Sequence, residues 1–336
     1  MKPKISIIIP TYNRCDYLGQ TIKSALAQDY ENYEVVISDN CSSDNTPSVV
    51  AKYLKNKRVK YFKNHTNLGM VKNWHTALYK YSTGDWFLIL SDDDYLIDSQ
   101  YLTKAVALMN KDNEIKIVYA NGYIKYEDTG EIAPLELPFN EINDGTKIFL
   151  SRWQITPQDF TLCNVLFEKN EALKHKPFDN EFNLSCDSEV FLMMCIYCKV
   201  GVIKDYVSVY RVHKTNLIKY VGQSWELFLN NHYAVLTPFI EAKSANTFTE
   251  KNLDFFKRRV ILRQLDGSLR YIKHNYPDKT DEFQRYIKNI DTNLWFELSK
   301  YKKLSIKAML VKHYPSLYSS FYDLKKHIVT WFIKFK

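Results

Sequence analysis

Three consecutive aspartates, Asp92, Asp93 and Asp94, directly follow the apolar run Trp86–Leu90, which is typical of a buried strand. Buried carboxylates are costly unless they are compensated, and a divalent cation shared with substrate phosphates is the usual compensation. In an extended chain Asp92 and Asp94 would face one side and Asp93 the other, so that two oxygens could reach one metal–diphosphate unit. The alternative is an acidic turn near a helix start, where Asp is also favoured.

Short apolar runs alternate with helical patterns through the first hundred residues. The runs that predict strands are Ile5–Ile9, Glu34–Ser38, Val59–Phe62 and Trp86–Leu90, and helical spacing occurs over 18–26, 48–54 and 71–81. This β-α-β-α order predicts an α/β fold with a doubly wound, mostly parallel sheet. Ligands of such sheets bind at the carboxyl ends of the strands. The polar clusters 11–14, 39–46 and 92–94 all follow strands, so we expect them to meet at one edge.

The pattern beyond residue 110 is less regular. It predicts strands over 115–120, 161–168 and 202–210 and a helix over 187–198. Between these elements, residues 127–160 contain three prolines and several acids, which predicts a long irregular excursion of the kind that forms binding loops. Trp153 in this excursion could stack on a sugar or lie in a core. Beyond about residue 220 the pattern is helical and basic.

The positive charge lies in the last third of the chain. Of the net charge of +8, residues 220–336 contribute 20 Lys and Arg against 11 Asp and Glu, and residues 301–336 alone hold eight Lys and one acid. An apolar stripe, Leu317, Phe321, Leu324, Ile328 and Trp331, has helical 4-3-4-3 spacing in this tail. A basic amphipathic helix of this type can bind an anionic membrane surface or pack on its own domain. We expect no nucleic-acid partner, because no base-reading module accompanies the charge.

The location of the protein is predicted from what the chain lacks. The apolar stretch at the start ends at Pro10 and is too short for a secretory signal, and no run approaches the length of a transmembrane helix. The six cysteines do not form a disulfide framework, and Cys195 and Cys198 have no second pair or nearby histidine to complete a zinc site. The sequence therefore predicts a cytoplasmic protein and leaves open a peripheral position on the inner face of the membrane.

Four motifs in order resemble glycosyltransferase family 2, whose enzymes have a GT-A fold and transfer sugars from nucleotide diphosphates. These motifs are Ser6–Arg14, Ser38–Thr46, Asn67–Gly69 followed by Lys72 and Asn73, and Asp92–Asp94 in place of the family's D-x-D. The resemblance is strong over residues 4–110 and weaker over 160–215. It implies that residues 1–219 form the catalytic domain, with a donor half to about 110 and an acceptor half beyond it.

The resemblance also implies roles for individual residues. Asp39 would bind the nucleobase, and Lys72 stands where the family often has Arg, so it would contact the diphosphate as a point charge. UDP is the favoured donor nucleotide, but because Asn40 and Cys41 replace a common Asp and Gly, GDP, TDP and CDP stay open. The full set of expected nucleotide-sugar contacts is Thr11, Tyr12, Asn13, Arg14, Asp39, Asn67, Lys72, Asp92 and Asp93.

A metal and a base complete the expected site. Asp94 is expected on Mn²⁺ or Mg²⁺, although the register within the three aspartates is ambiguous by one residue. His213, in Tyr210-Arg-Val-His213, resembles the family's Y-R-x-H element and could join it as a metal ligand. Asp187 matches the family's base, with Glu189 as the alternative carboxylate. Both acids could also simply stabilise a helix start.

Taken together, these features predict an inverting, metal-dependent glycosyltransferase that acts on a lipid-linked glycan acceptor. Two alternatives stay open: a nucleotidyltransferase that makes nucleotide sugars, and a non-catalytic protein that binds a nucleotide sugar and a membrane. The helical region 220–336 could contact a membrane or form a homodimer.

Overall fold

The computed structural model describes residues 2–152, 161–214, 216 and 224–300. The chain divides into two compact units, residues 1–264 and residues 265–336. Trp153 and the predicted amphipathic tail at 317–331 lie outside the described residues.

One mixed sheet forms the centre of the first unit. Its strands within the described ranges are β1 (Ile5–Thr11), β2 (Tyr33–Asp39), β3 (Val59–Lys63), β4 (Trp86–Ile89), β5 (Tyr95–Leu96), β6 (Ile115–Tyr126), β7 (Ile132–Leu135), β8 (Ile142–Asp144), β9 (Val165–Glu168) and β10 (Lys199–Val212). They run in the order β3-β2-β1-β4-β9-β6-β10-β5, with β7 added to β6 and β8 to β10. The pairs β3-β2, β2-β1, β1-β4 and β6-β10 are parallel, whereas β9 is antiparallel to both of its neighbours.

Helices flank the sheet and continue the chain beyond it. In the described residues they are α1 (Cys15–Leu26), α2 (Thr46–Ala51), α3 (Met70–Thr76), α4 (Tyr101–Met109), α5 (Gly145–Leu150), α6 (Lys169–Lys174), α7 (Cys186–Cys195), α8 (Trp225–Asn230), α9 (Tyr233–Ser244), α10 (Glu250–Phe256), α11 (Leu262–Asn275), α12 (Thr280–Ile290) and α13 (Thr292–Lys300). Helix α3 ends in a π-helical turn, Ala77–Tyr81, and another π turn, Lys257–Ile261, joins α10 to α11.

The central strands are buried on both faces and are mostly apolar. Every residue of β1, β2 and β4 is buried, as expected for parallel strands that are covered by helices on both sides. Helix α1 buries Leu18, Ile22 and Ala25 on one stripe. Full burial of a Leu or Ile side chain stabilises the fold by about 1.5–3 kcal/mol. This packing makes the sheet a rigid support for the polar residues at its edge.

The predicted α/β class with a mostly parallel sheet is confirmed. Residues 127–160, however, contain more regular structure than the irregular excursion that the sequence predicts. Strand β6 continues to Tyr126 and turns back as a hairpin into β7, with Gly130 at a φ of 71° in the turn. Strand β8 and helix α5 follow before residue 151. These elements escaped prediction because their pairing with β6 and β10 is a tertiary contact that short runs do not encode.

The contacts also divide the chain later than the sequence suggested, at 264/265 instead of 219/220. Helix α9 packs against α7 and buries Val235, Leu236 and Phe239. Helices α8 to α10 therefore belong to the first unit. The functional division between residues 1–219 and 220–336 stays a prediction.

The second unit is described to residue 300 and is helical there, as expected. Helices α12 and α13 contact each other, and they bury Phe283 and Ile287 on one and Leu294 and Leu298 on the other. Acids in the first turn of α12 and Lys288 in its last turn complement the helix dipole.

Candidate active site

The three polar clusters meet because their strands are parallel and adjacent. Thr11, the last residue of β1, lies beside Asp39, the last residue of β2. On the other side of β1, Ile8 pairs with Ile89 at the end of β4, and the aspartates follow three residues later. The carboxyl ends of these strands therefore form one edge, as predicted from the sequence.

The aspartates lie in a turn, not in an extended segment. Asp94 N–H donates to Ser91 O at 3.0 Å, and the Thr21 hydroxyl of α1 donates to the carbonyl oxygens of Asp92 and Asp94 at 2.8 and 2.7 Å. The prediction that Asp92 and Asp94 share one side and Asp93 the other was wrong, because the alternation of an extended strand stops at Ile89.

Arg14 and His213 surround Asp93. Arg14 Nη1 forms an ion pair with Asp93 Oδ2, and His213 Nε2 lies 2.9 Å from the same oxygen. Arg14 Nε also lies 3.9 Å from Asp92 Oδ1, and the backbone N–H of Tyr12 donates to Asp92 Oδ2 at 3.3 Å. The turn thus brings Asp92 and Asp93 to Arg14, and it brings Asp93 to His213.

Asp94 points elsewhere: its Oδ1 accepts a hydrogen bond of 2.9 Å from the backbone N–H of Arg211 on β10. All three aspartates are buried, and their pKa values respond differently. Burial and the charge of Asp93 raise the pKa of Asp92 to about 7 and that of Asp94 well above its ordinary value. Although burial opposes ionisation of Asp93, the hydrogen bond from His213 and the charge of Arg14 lower its pKa. Of the three, Asp93 is therefore the carboxyl whose ionised form the surroundings favour most.

The loop after β2 is held in place by Asp39. Its Oδ1 accepts from Ser42 N–H at 2.7 Å and its Oδ2 from the Tyr61 hydroxyl at 2.6 Å. Asn13, at a φ of 52°, joins this loop to the first, because its N–H donates to Ser42 Oγ at 2.9 Å. Tyr12 beside it is 44% exposed. Asp39 itself is fully buried, so the exposed Tyr12 ring is the part of this region that offers a flat face to a heterocycle.

The donor-side motif after β3 is ordered by Asn40, whose Nδ2 donates to Asn67 Oδ1 at 2.7 Å and whose Oδ1 accepts from Leu68 N–H at 2.9 Å. Lys72 on α3 lies 3.9 Å (Nζ to Oε2) from Glu181, and both side chains are more than half exposed. An exposed pair at this distance is worth little, so Lys72 can leave Glu181 for a phosphate.

Asp187 and Glu189 occupy the first turn of α7 in different surroundings. Glu189 Oε2 accepts from Asn183 Nδ2 at 2.7 Å, so this carboxylate is engaged in holding the preceding loop. Asp187 Oδ1 accepts from Ser188 N–H at 2.7 Å, and burial raises the pKa of Asp187 to about 6 despite the charge of Arg152. A carboxylate with a raised pKa is a better proton acceptor near neutral pH.

Tyr210 lies on β10, one residue before Arg211. Burial raises the pKa of its hydroxyl, and the charges of Asp94, Asp93 and Asp187 add to that increase. The charges of both acidic groups therefore act on this one phenol.

The donor set at the turn fits a divalent cation that arrives with a diphosphate. In the described part of the chain no three His, Cys, Asp or Glu side chains form a ready metal cage. Mg²⁺ and similar ions are, however, usually held by one or two carboxylates plus substrate phosphates. Asp93 Oδ2 and His213 Nε2 lie 2.9 Å apart, and Arg14 Nη1 contacts both of them. A cation held by these two atoms would take the place of the guanidinium and of the proton between them.

Sequence reasoning missed the residues that hold the site together. Thr21 and Tyr17 of α1 and Arg211 of β10 contact the turn or its neighbours. The available signal was the position of Tyr17 and Thr21 three and seven residues after Arg14, on one face of the helix. No pattern in one sequence shows which strand such a face meets.

This edge, with an acidic turn and the loop ordered by Asp39 at the carboxyl ends of parallel strands, is where enzymes with such a sheet bind their ligands. The model of glycosyl transferase family 2 matches residues 6–172. The chain is 30% identical over 248 residues to the GalNAc(5)-diNAcBac-PP-undecaprenol beta-1,3-glucosyltransferase of Campylobacter jejuni, which covers 71% of this chain and 72% of that protein. The chain belongs to glycosyltransferase family 2 and is a glycosyltransferase, which rules out the non-catalytic and nucleotidyltransferase alternatives.

Solved structures agree on the fold. A crystal structure of TarS from Staphylococcus aureus has a TM-score of 0.61 at 17% identity and covers 90% of this chain and 92% of that one. The mannosyltransferase PcManGT from Pyrobaculum calidifontis, in complex with GDP-Man and Mn²⁺, has a TM-score of 0.52 at 15% identity, with 90% and 88% covered. The GT-A prediction is thereby confirmed. Among the described residues, no helix combines the length and the apolar character that crossing a membrane requires.

Proposed function

We propose that this chain is an inverting, metal-dependent glycosyltransferase that moves a sugar from a nucleotide diphosphate, with UDP favoured, to a hydroxyl of a lipid-linked glycan. The observation that carries the proposal is the contact of Asp93 with both Arg14 and His213 at the edge where Asp39 also lies. The name of the Campylobacter jejuni relative, which specifies a PP-undecaprenol substrate, supports the acceptor class. TarS has been crystallised with UDP-GlcNAc, which supports UDP, whereas the GDP-Man complex of PcManGT shows that the fold alone does not select the base.

In the proposed reaction Asp187 removes the proton from the acceptor hydroxyl as its oxygen attacks the anomeric carbon. The new carbon–oxygen bond forms on the face opposite the diphosphate, so the configuration inverts as the bond to the diphosphate oxygen breaks. Arg14 and Lys72 neutralise the departing nucleoside diphosphate. Asp93 and His213 would hold Mn²⁺ or Mg²⁺, whose chemistry is to stabilise charge on that leaving group. The sequence-based assignment of the metal to Asp94 stays a prediction, but the hydrogen bond from Arg211 makes Asp93 the better candidate.

Nucleotide recognition provides the direct test. We expect one nucleoside diphosphate and its sugar to raise the melting temperature of the protein in the presence of Mn²⁺, because a ligand at a hundred times its dissociation constant adds about 2.7 kcal/mol of stability. A thermal-shift screen of UDP-, GDP-, TDP- and CDP-sugars with and without Mn²⁺ measures this. If none of them stabilises the protein and none is hydrolysed or transferred, the proposal is wrong.

The pH dependence of transfer should report the pKa of Asp187. A base must be ionised, so we expect kcat/KM to be level above pH 6 and to fall about tenfold per pH unit below it. The effect on stability has the opposite sign. Burial raises the pKa of Asp187 to about 6. Its contribution to the free energy of unfolding is therefore present below pH 4 and is lost as the pH rises through 6. A pH–rate profile checks the first expectation, and a level rate down to pH 5 would contradict it.

We further infer that the basic tail brings the enzyme to an anionic membrane at the cytoplasmic face. The +7 charge of residues 301–336 supports this inference, and it predicts binding that weakens with salt. Sedimentation of the full-length chain with anionic and with neutral vesicles measures it. The control replaces four tail lysines by Gln: Lys302, Lys303, Lys325 and Lys326. Light scattering tests the alternative, in which residues 220–336 form a homodimer, by measuring the molecular mass in solution.

A further inference from the structure

Four side chains form a continuous stack behind the acidic turn. The guanidinium carbon of Arg211 lies 4.6 Å from the centre of the Tyr95 ring and 5.1 Å from that of Tyr17. The other side of this row is closed by His213, whose ring is 5.2 Å from the Tyr17 ring and inclined to it by only 17°. The order is therefore Tyr95, Arg211, Tyr17, His213.

Tyr17 is the member of this stack that links the two halves of the site. It lies on α1, one turn after Arg14, and its backbone N–H donates to Arg14 O at 3.1 Å. The same ring supports His213, which contacts Asp93, and Arg211, whose backbone holds Asp94. The two supported residues are close in sequence, and Asn216 fixes the backbone between them by donating to Arg211 O at 3.1 Å and accepting from His213 N–H.

The contacts are made by the ring face and not by the hydroxyl. A cation over an aromatic face is attracted by the ring quadrupole, and a stacked imidazole has its orientation restricted. With the plane of His213 held against Tyr17, its Nε2 is directed at Asp93 Oδ2. Removal of the ring would leave His213 and Arg211 present, but their side chains would be free to reorient.

We propose that Tyr17 is a positioning residue: its ring holds His213 beside Asp93 in the orientation that a divalent cation requires, and it holds Arg211, whose backbone binds Asp94. This inference rests on the proposed function, because it assigns the role of Tyr17 through His213 and Asp93. It adds a residue that no motif of the sequence singled out for chemistry.

The test compares three variants in direct Mn²⁺ binding. Tyr17→Phe keeps the ring and should bind Mn²⁺ in the presence of UDP within twofold of the wild type. Tyr17→Leu keeps the bulk without the ring face and should bind about tenfold more weakly, equal to about 1.4 kcal/mol. Tyr197→Ala is the matched control, because Tyr197 stacks on a histidine, His175, at the same 5.2 Å, in a pair that the proposed function does not use. It should bind as the wild type does.

Calorimetry or manganese electron paramagnetic resonance measures binding, independently of turnover. Equal Mn²⁺ affinity of folded Tyr17→Leu and wild type would overturn the inference, as would a tenfold loss in Tyr17→Phe. If Tyr17→Leu does not fold, Tyr17→Met replaces it with the same expectation. If the wild type itself binds no Mn²⁺ with any nucleotide, the proposed function fails instead, so the two failures are distinguishable.

Discussion

Replacement of Asp187 by Asn is expected to lower the rate of sugar transfer by about a hundredfold to ten-thousandfold, the range that general-base catalysis contributes. Asn has nearly the same shape but cannot accept the proton of the acceptor hydroxyl. Donor binding should stay within about twofold, because the nucleotide contacts are made from other strands. Transfer rates and the dissociation constant of the donor, measured on the same preparation, check both expectations.

Stability and a neighbouring carboxylate provide the controls. Since burial disfavours the ionised form of Asp187, Asp187→Asn should melt at a higher temperature than the wild type above pH 6. Glu189 lies two residues after Asp187 in the same turn and is hydrogen-bonded to Asn183. Glu189→Gln should retain transfer within about fivefold. A variant Asp187→Asn that keeps more than a tenth of the wild-type rate would reject Asp187 as the base, and a large loss in Glu189→Gln alone would move the role to Glu189.

The second large effect is expected for Asp93→Asn, which should reduce metal-dependent turnover by about a hundredfold or more, as loss of a group that stabilises transition-state charge generally does. The ionised oxygen of Asp93 is the one that faces Arg14 and His213. Turnover should be measured as a function of Mn²⁺ concentration, and the concentration for half-maximal rate should rise together with the loss.

Asp94→Asn is the matched comparison, because an amide oxygen can still accept the hydrogen bond from the backbone of Arg211. We expect it to lose less than about tenfold. The reverse result, with Asp94→Asn inactive and Asp93→Asn nearly normal, would restore the register that the sequence alone suggested.

The sequence was sufficient to predict which elements carry the site. Runs of Ile and Val between helical patterns predict buried parallel strands, and the polar residues that follow those strands meet because parallel strands end at one edge. Thr11 and Asp39 are neighbours for this reason alone. The late strands were harder, since β9 is antiparallel to both of its neighbours and its place depends on contacts distant in sequence.

The directions of the aspartates could not be predicted, for a physical reason. Their turn is held by Thr21, 71 positions before Asp92 and 73 before Asp94, and by the backbone of Arg211, 117 positions after Asp94. Local spacing carries no information on such partners. The same holds for Glu189, whose side chain is engaged by the amide of Asn183 and by Thr237, whereas Asp187 accepts from the backbone of Ser188.

Three residues of helix α1 or its start contact the site. Thr21 contacts the acidic turn, Tyr17 contacts His213 and Arg211, and Arg14, which precedes the helix, contacts Asp93. The reacting groups are therefore not independent in their thermal fluctuations. A local opening of this single helix would disperse the proposed cation ligands, the proposed phosphate contact of Arg14 and the stack in one event. Thermal inactivation should then coincide with amide hydrogen exchange in α1 and precede exchange in the central strands, so the lifetime of the active site is set by one helix and not by the sheet that supports it.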